Sequence, residues 1–488
     1  MKKLLLLAFL LGALNLPAQI SWYGPLTVVT GSTYGNLYPR LNLVTGSKPL
    51  ITWGKSSGEV FSSVLSTSVF STPVQISPAG VAGYIQTWTG PETASSGDTV
   101  YTAWSTSPAG TGKIYMVRSV DAGTTFSDTV RVEDIDTNYG WIPSIAVLPG
   151  GNPIVSYMRH DAGYDSVDYV TKKSLDGGLT FQPVVNASAM SPGVVCDCCP
   201  SSIVSRGNNV VQIFRNAGSN IRTMYGAFSS DEGTSFTAVN EIDLTGWTTG
   251  VCPSSGPSGV IVGDSLIYVW MSKAGGPTRI YMGTVNIYDQ QIGINRQVFP
   301  TTSGTQNFPV IAAKGDTVVV VWEHNSAGVT DISLSYSLTG AAGIGNVVDT
   351  LTNTMAGNQT RPDIAFNNRK FHVSFSDASG TAVKYLEGII GSEVGIISAE
   401  TTMQANLVHA FYTEAEGLVV TVESPIEQEI TLVVFDASGR NLKNKTVMVM
   451  PGRGTYYLQG TVNTGTLYVK MITADGKSSK TASVVITK

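Results

Sequence analysis

Apolar positions along this chain come in short runs. PVIAA at 309–313 is followed by the turn KGD and then by TVVVVW at 317–322. Runs of this length, rich in Val and aromatics and bounded by Gly and Asp, predict strands rather than helices. The figure recurs, as a proline followed 13 or 14 residues later by an aromatic. Seven copies are present: Pro39 to Trp53, Pro91 to Trp104, Pro143 to Tyr157, Pro200 to Phe214, Pro257 to Trp270, Pro309 to Trp322 and Pro362 to Phe375. Successive prolines lie 52, 52, 57, 57, 52 and 53 residues apart. A third run such as IYMVRS or YVTKKS and a fourth such as TVRVED complete each unit.

Four strands in a repeated unit of about 50 residues predict an all-β, seven-bladed β-propeller, with a six-bladed form as the alternative. Each such unit has exposed edges, and a closed ring lets neighbours cover them. The last unit, RPDIAFNNRKFHVSFSDASGTAVKYLEG, has three clear strands. Its fourth is expected from GPLTVVTG at 24–31, which would splice the two ends of the ring, or else from VGIISAE at 394–400.

Three units carry a sharper mark between the third and fourth runs. It reads SVDAGTTF around Asp121, Gly123 and Phe126, then SLDGGLTF around Asp176, Gly178 and Phe181, then SSDEGTSF around Asp231, Gly233 and Phe236. Asp can fold its carboxylate onto nearby amides, Gly accepts a positive φ, and Phe can bury itself between sheets. This pattern is the Asp-box, and through it residues 20–400 resemble the sialidase-like superfamily of Asp-box propellers. The resemblance implies a propeller whose boxes are structural turns on the side away from the active site. Fold alone does not settle function.

The first residues, MKKLLLLAFLLGALNLPAQ, set two lysines before an apolar run and then Pro17-Ala18. They read as a secretory signal peptide, residues 1–18, cut after Ala18. No later run approaches the roughly 20 apolar residues of a membrane helix. Charged residues are only 13%, and the net charge of −5 is spread out, with no basic stripe for nucleic acid.

In a propeller the working face is built from loops entering each first strand and leaving each second strand. The repeat places Tyr38, Arg40, Trp141, Cys196 to Cys199, Cys252, Phe308 and Arg361 on entering loops. Lys55, Arg159, His160, Asp161, Arg215, Met271, Glu323, His324 and Asp377 fall on leaving loops. Candidate ligand-binding residues are Arg40, Trp141, Arg159, His160, Arg215, His324 and Arg361. By the resemblance, a sialidase would need an arginine trio, a Tyr–Glu nucleophile pair and an acid Asp, with an Arg-Ile-Pro signature near the start. Here Tyr38-Pro39-Arg40-Leu41 reverses Arg and Pro, and seven units stand where sialidases have six. The sialidase pattern is therefore not evident. Seven blades with Asp-boxes also resemble some glycan-chain hydrolases, which use two carboxylates across a central cleft. Asp161, Glu323 and Asp377 are the candidates for acid and base. Their separation, about 5 Å for retention or about 6.5–9.5 Å for inversion, is not legible in sequence.

SPGVVCDCCPSSIV crowds three of the four cysteines into 196–199, just before Pro200, and Cys252 lies just before Pro257. All four are thus expected on entering loops of neighbouring blades. An even count in an exported chain predicts disulfides. Cys196–Cys199 spans a turn, which leaves Cys198–Cys252 as a staple between blades; bridges within C-x-C or C-C would be strained. Two alternatives stand beside this: a thiolate site for Cu or Zn, with His160, His324 or Met271 as further donors, and a reducible disulfide with a redox role.

From about Asn406 the period is lost. GLVVTVES, EITLVVFD, LKNKTVMVM, GTYYLQG, TLYVKMITAD and TASVVITK predict a small β-sandwich over 406–488, after a propeller over 19–405. LVVFDASGRNLKN, GTYYL, GTLYVKMITADGK and the terminal KTASVVITK resemble the C-terminal sorting domain of the type IX secretion system, without the Asn-Pro pair that often opens it. That implies passage of the inner membrane by the signal peptide and of the outer membrane by type IX machinery, to a secreted or cell-surface location. The expected function is binding of extracellular glycan or protein through the central face. Glycoside hydrolysis and a metal or redox role for the cysteines are the alternatives.

Overall fold

A computed structural model describes residues 20–31, 35–108, 111–134, 138–164, 166–300, 303–378, 381–390, 406–413, 417–424, 427–450, 452–458, 465–473 and 478–486. The signal-peptide segment 1–18 and VGIISAE lie outside the described residues. The chain is all-β and falls into two compact units, Trp22–Gly388 and a second made largely of 389–488.

The first unit is a succession of seven antiparallel sheets. Their first strands are Leu37–Val44, Glu92–Ser96, Tyr139–Val147, Ser202–Arg206, Ser258–Val262, Thr305–Lys314 and Gln359–Asn367. Six of these sheets run in chain order, and the first adds a short fifth strand. The seventh differs: its outer strand is Ile20–Val29, paired with Ala382–Ile390. The amino-terminal strand thus completes the last sheet, and it is one of the two donors that the sequence offered.

First strands of successive sheets pack side by side, and the first packs against the seventh, so the row closes into the ring of a β-propeller. Polar side chains join the strands where adjacent sheets splay too far apart for a backbone ladder. Asn42 Nδ2 donates to the Thr93 carbonyl (2.9 Å), and Ser95 Oγ to that of Leu43 (3.0 Å). Ser144 Oγ accepts from Ile203 N (3.0 Å), Ser258 Oγ from Ile311 N (3.2 Å), and Asp363 Oδ2 from Leu41 N (2.7 Å). The last of these joins the seventh sheet to the first.

Core is built between sheets. Ile267, Val269 and Met271 of the fifth sheet meet Val318, Val320 and Trp322 of the sixth. The aromatic of each repeat sits here, and Trp53, Trp104, Trp270 and Trp322 are fully buried. Each Asp-box links a third strand to a fourth. Asp121 Oδ1 accepts from Ser119 Oγ (2.8 Å) and Thr125 N (2.9 Å), and Gly123 N donates to Ser119 Oγ (2.9 Å). These bonds, led by that of the Thr125 hydroxyl, favour the ionised form and hold the Asp121 carboxyl down at about 2. Gly123 has φ +82°, and a Cβ there would collide with Leu50 of the preceding sheet. Gly178 stands likewise against Met116, and Gly233 against Ile154. The boxes therefore set the spacing between neighbouring sheets.

The second unit holds a three-stranded sheet (Asn406–Thr413, Gly417–Ser424, Gly452–Leu458) and a four-stranded one (Gln428–Asp436, Asn441–Val449, Gly465–Thr473, Ser478–Ile486). Alternate residues Leu418, Val420 and Val422 from the first share a core with Ile430, Leu432, Val434, Val469 and Met471 from the second. Among the described residues no helix is long and apolar enough to cross a membrane.

Candidate functional site

The repeat prolines shape the mouth of the ring. Tyr38, Ile142, Phe308 and Arg361 each precede a repeat proline, and they have φ of 55°, 48°, 50° and 55°. Each lies at a shift of register between first and second strand. A bulge with positive φ in a non-glycine residue is strained, the more so for β-branched Ile142. Such strain persists only where the surroundings over-determine it, and it re-aims side chains toward sites. Gly90 and Gly256 hold the equivalent place in two other units, where a Cβ would strike Tyr38 and Pro200 respectively.

First strands of all seven sheets line a central cavity of ≈ 700 Å³. Its charged side chains include Arg40, Glu92, Arg361 and Asp363, with Tyr38, Phe308 and Trp88 as the aromatic component. Arg40 Nε and Nη2 grip Glu92 at 2.9 and 3.1 Å, and Tyr38 OH donates to the same carboxylate at 2.9 Å. The Arg40 guanidinium also stacks over Tyr38, 3.8 Å from its centroid. Burial pushes the Tyr38 hydroxyl well above its ordinary range, so Tyr38 is a hydrogen-bond donor here. Arg361 lies over Phe308, its Nε is 3.7 Å from Glu323, and its backbone N donates to Glu323 Oε1 at 2.7 Å. Burial lowers Arg361 to about 10 and raises the Glu323 carboxyl. Asp363, beside Arg40, is raised to about 6, again chiefly by burial.

Aromatic side chains gather on one side of this mouth. Trp88 meets Trp141 edge-on at 5.7 Å, and Tyr84 meets both, at 6.3 and 5.7 Å. His160 stacks on half-exposed Tyr164 with centroids 4.0 Å apart. His160 Nδ1 bonds the Asp161 carbonyl at 2.8 Å, which leaves Nε2 as the other ring position. That Nε2 and Trp141 Nε1 are buried and have no hydrogen-bond partner among the described residues.

The cysteines converge. Cys198 and Cys252 form a disulfide between the loops entering the fourth and fifth sheets, the staple expected from sequence. Cys196 and Cys199, expected to be bridged, are buried with their sulfurs 2.7 Å apart. Two unbonded sulfurs keep about 3.7 Å, so this spacing leaves the pair within reach of the expected bridge. Arg222 Nη1 also donates to the Cys196 sulfur, at 3.2 Å. The Cys199 contact, followed by lesser causes that include the Arg222 charge, draws the Cys196 thiol down to about 7, whereas burial drives Cys199 up.

Other expected residues fall in different surroundings. Asp161, Glu323 and Asp377 sit on the third, sixth and seventh sheets or their loops, and none lines the cavity. Arg159 is paired with Asp168 at 3.2 Å. Arg215, expected to face a ligand, is fully buried. It donates to the carbonyls of Arg222 (2.6 Å) and Met271 (2.8 Å), so it braces the fourth and fifth sheets. His324 Nε2 is buried without a partner among the described residues. The cavity's carboxylates are instead Glu92 and Asp363, which the sequence reading passed over. Each directly follows a repeat proline, as Arg40 does, and comparing that one position across the seven units would have found them.

No protein-family model matches the chain, and no curated protein sequence does. Among solved structures it is similar to a protein of unknown function from Dyadobacter fermentans, at 14% identity and TM-score 0.45, covering 65% of this chain and 98% of that one. An α-L-arabinofuranosidase from Fusarium graminearum gives 15% identity and TM-score 0.44, over 64% of this chain and 97% of that. A mutant of the Trypanosoma rangeli sialidase with trans-sialidase activity gives 12% and 0.43, over 97% and 91%.

Proposed function

We propose that the chain is an exported, seven-bladed propeller that binds an extracellular glycan at the mouth of its ring, with a C-terminal β-sandwich serving type IX secretion as its sorting domain. The observation that carries the binding reading is the aromatic group Tyr84, Trp88, Trp141 and Tyr164 beside a polar cavity. Pyranose and furanose rings present C–H faces that stack on flat aromatic surfaces, while their hydroxyls need fixed polar partners.

The test is a glycan array followed by calorimetry on the best glycan. Trp88→Ala and Tyr164→Ala are each expected to weaken binding about tenfold or more, with the melting temperature held within a few degrees for exposed Tyr164 and lowered for Trp88, which packs against core. Retention of no glycan, or unchanged affinity in both variants, would overturn the reading.

Hydrolysis is the second reading, and it rests on Asp363. A carboxyl held near 6 beside a second carboxylate, Glu92, in one cavity has the character of a general acid. Both groups are already engaged, Glu92 by Arg40 and Asp363 by the backbone N–H of Leu41 and Ile364, which is why binding comes first.

A further inference from the structure

Four sulfurs lie within 4.8 Å of one another on the loops entering the fourth and fifth sheets. They are not equivalent. One pair is a disulfide, Cys198–Cys252, with Cys252 exposed. The other pair, Cys196 and Cys199, is buried with its sulfurs 2.7 Å apart, and it is a dithiol once reduced. Across the two, Cys196 Sγ stands 3.7 Å from Cys198 Sγ, about van der Waals distance.

The loop that presents them is held in place. Cys196 N donates to the Arg215 carbonyl at 2.9 Å, and Tyr169 OH donates to the Cys199 and Cys196 carbonyls. Arg222 Nη1 faces the Cys196 sulfur at 3.2 Å, where it stabilises an anion. We infer that the cluster is a thiol–disulfide exchange centre, in which Cys196 attacks Cys198 and frees Cys252, and Cys199 then closes onto Cys196.

The steps balance within the chain. In the first, the Cys196 thiolate forms a bond to Cys198 Sγ as the Cys198–Cys252 bond breaks. The electron pair leaves on Cys252 Sγ, which takes a proton from solvent. In the second, Cys199 Sγ, already 2.7 Å from Cys196 Sγ, loses its proton and bonds to it. The Cys196–Cys198 bond breaks, and Cys198 receives the electron pair and a proton. One disulfide and two thiols exist before and after, so no outside oxidant or reductant is consumed. The product differs in kind: the bridge is now inside one loop, and the staple between the two sheets is open.

The inference is independent of glycan binding. Its test uses the full chain, brought by limited reduction to two thiols per molecule. The folded protein is pulsed with iodoacetamide, then unfolded and labelled with a heavy analogue, and its peptides are mapped by mass. In the wild type, Cys252 should carry the first label, and a Cys196–Cys199 bridge should appear over time. In Cys196→Ser, labelling of Cys252 should slow by more than tenfold. In Cys199→Ser, Cys252 should still be labelled, and its alkylation should trap the strained Cys196–Cys198 bridge by blocking the return reaction. Equal labelling of Cys252 in the wild type and Cys196→Ser would overturn the inference. So would protection of Cys252 in every form, or metal analysis that finds one zinc or copper per chain on the four sulfurs. Far-UV circular dichroism checks that both variants are folded.

Discussion

Between pH 7 and pH 4, Asp363→Asn is expected to lose about 3 kcal/mol of stability relative to the wild type, and His372→Gln to gain about as much. The two groups lie on neighbouring strands of the seventh sheet, where the ring closes. His372 is 1% exposed; its Nδ1 meets the Tyr385 hydroxyl at 2.6 Å, and its Nε2 has no partner among the described residues. Burial, helped by the Lys370 charge, lowers its pKa from 6.5 to about 3. An unfolded chain takes up a proton here below about 6.5 and the folded one does not, so the stability present above that pH is lost as pH falls toward 3. Asp363 runs the other way. Its carboxyl, raised from 3.8 to about 6, keeps its proton in the folded state when the unfolded chain has lost it. Its contribution is full below about 4 and disappears as pH rises through 6. In the wild type the two slopes largely offset each other, and each variant uncovers the slope that remains. Urea unfolding at pH 7, 5.5 and 4 reads the differences, and parallel curves for all three proteins would refute the assignment.

Trp322→Ala should destabilise the first unit by about 3–5 kcal/mol, the largest single-residue effect expected. Trp322 is 0% exposed and fills the layer between the fifth and sixth sheets, against Val269, Met271, Val320 and Ile344. Removal of the indole leaves a cavity that two stiff sheets cannot collapse to fill. Trp322→Phe should cost much less, because its Nε1 makes no hydrogen bond among the described residues. Trp53→Phe is the contrasting case. Trp53 Nε1 donates to Asn36 Oδ1 at 3.1 Å, so even this conservative change strands a buried acceptor, at about 1–3 kcal/mol. Denaturant midpoints for the three variants give the order. A loss under about 1 kcal/mol for Trp322→Ala would contradict the packing account.

The parts of the fold that repeat were readable. Proline-to-aromatic spacing marks first and second strands because a buried ring returns in every unit, preceded by a bulge in four of them. Asp-boxes were readable because their turn chemistry is local. The Cys198–Cys252 staple followed from strain in the shorter bridges. What escaped depends on non-repeating distances. Tyr84 and Trp88 sit on the long connection between the first and second sheets, whose counterparts before the fourth and fifth sheets carry different residues at the matching places. Arg215 has the right position for a ligand contact, yet its side chain turns inward to two carbonyls, and spacing carries no information on that choice.

The seventh sheet has a consequence for how the molecule comes into being. Lys384 Nζ reaches Thr27 Oγ1 at 2.8 Å across 357 residues of sequence. A chain that is synthesised or threaded from its amino end therefore exposes the segment 20–29 long before the strand that will receive it exists. Until then, six sheets can stack as an open crescent with two sticky ends. The last sheet is complete only once both ends of this stretch of chain have met.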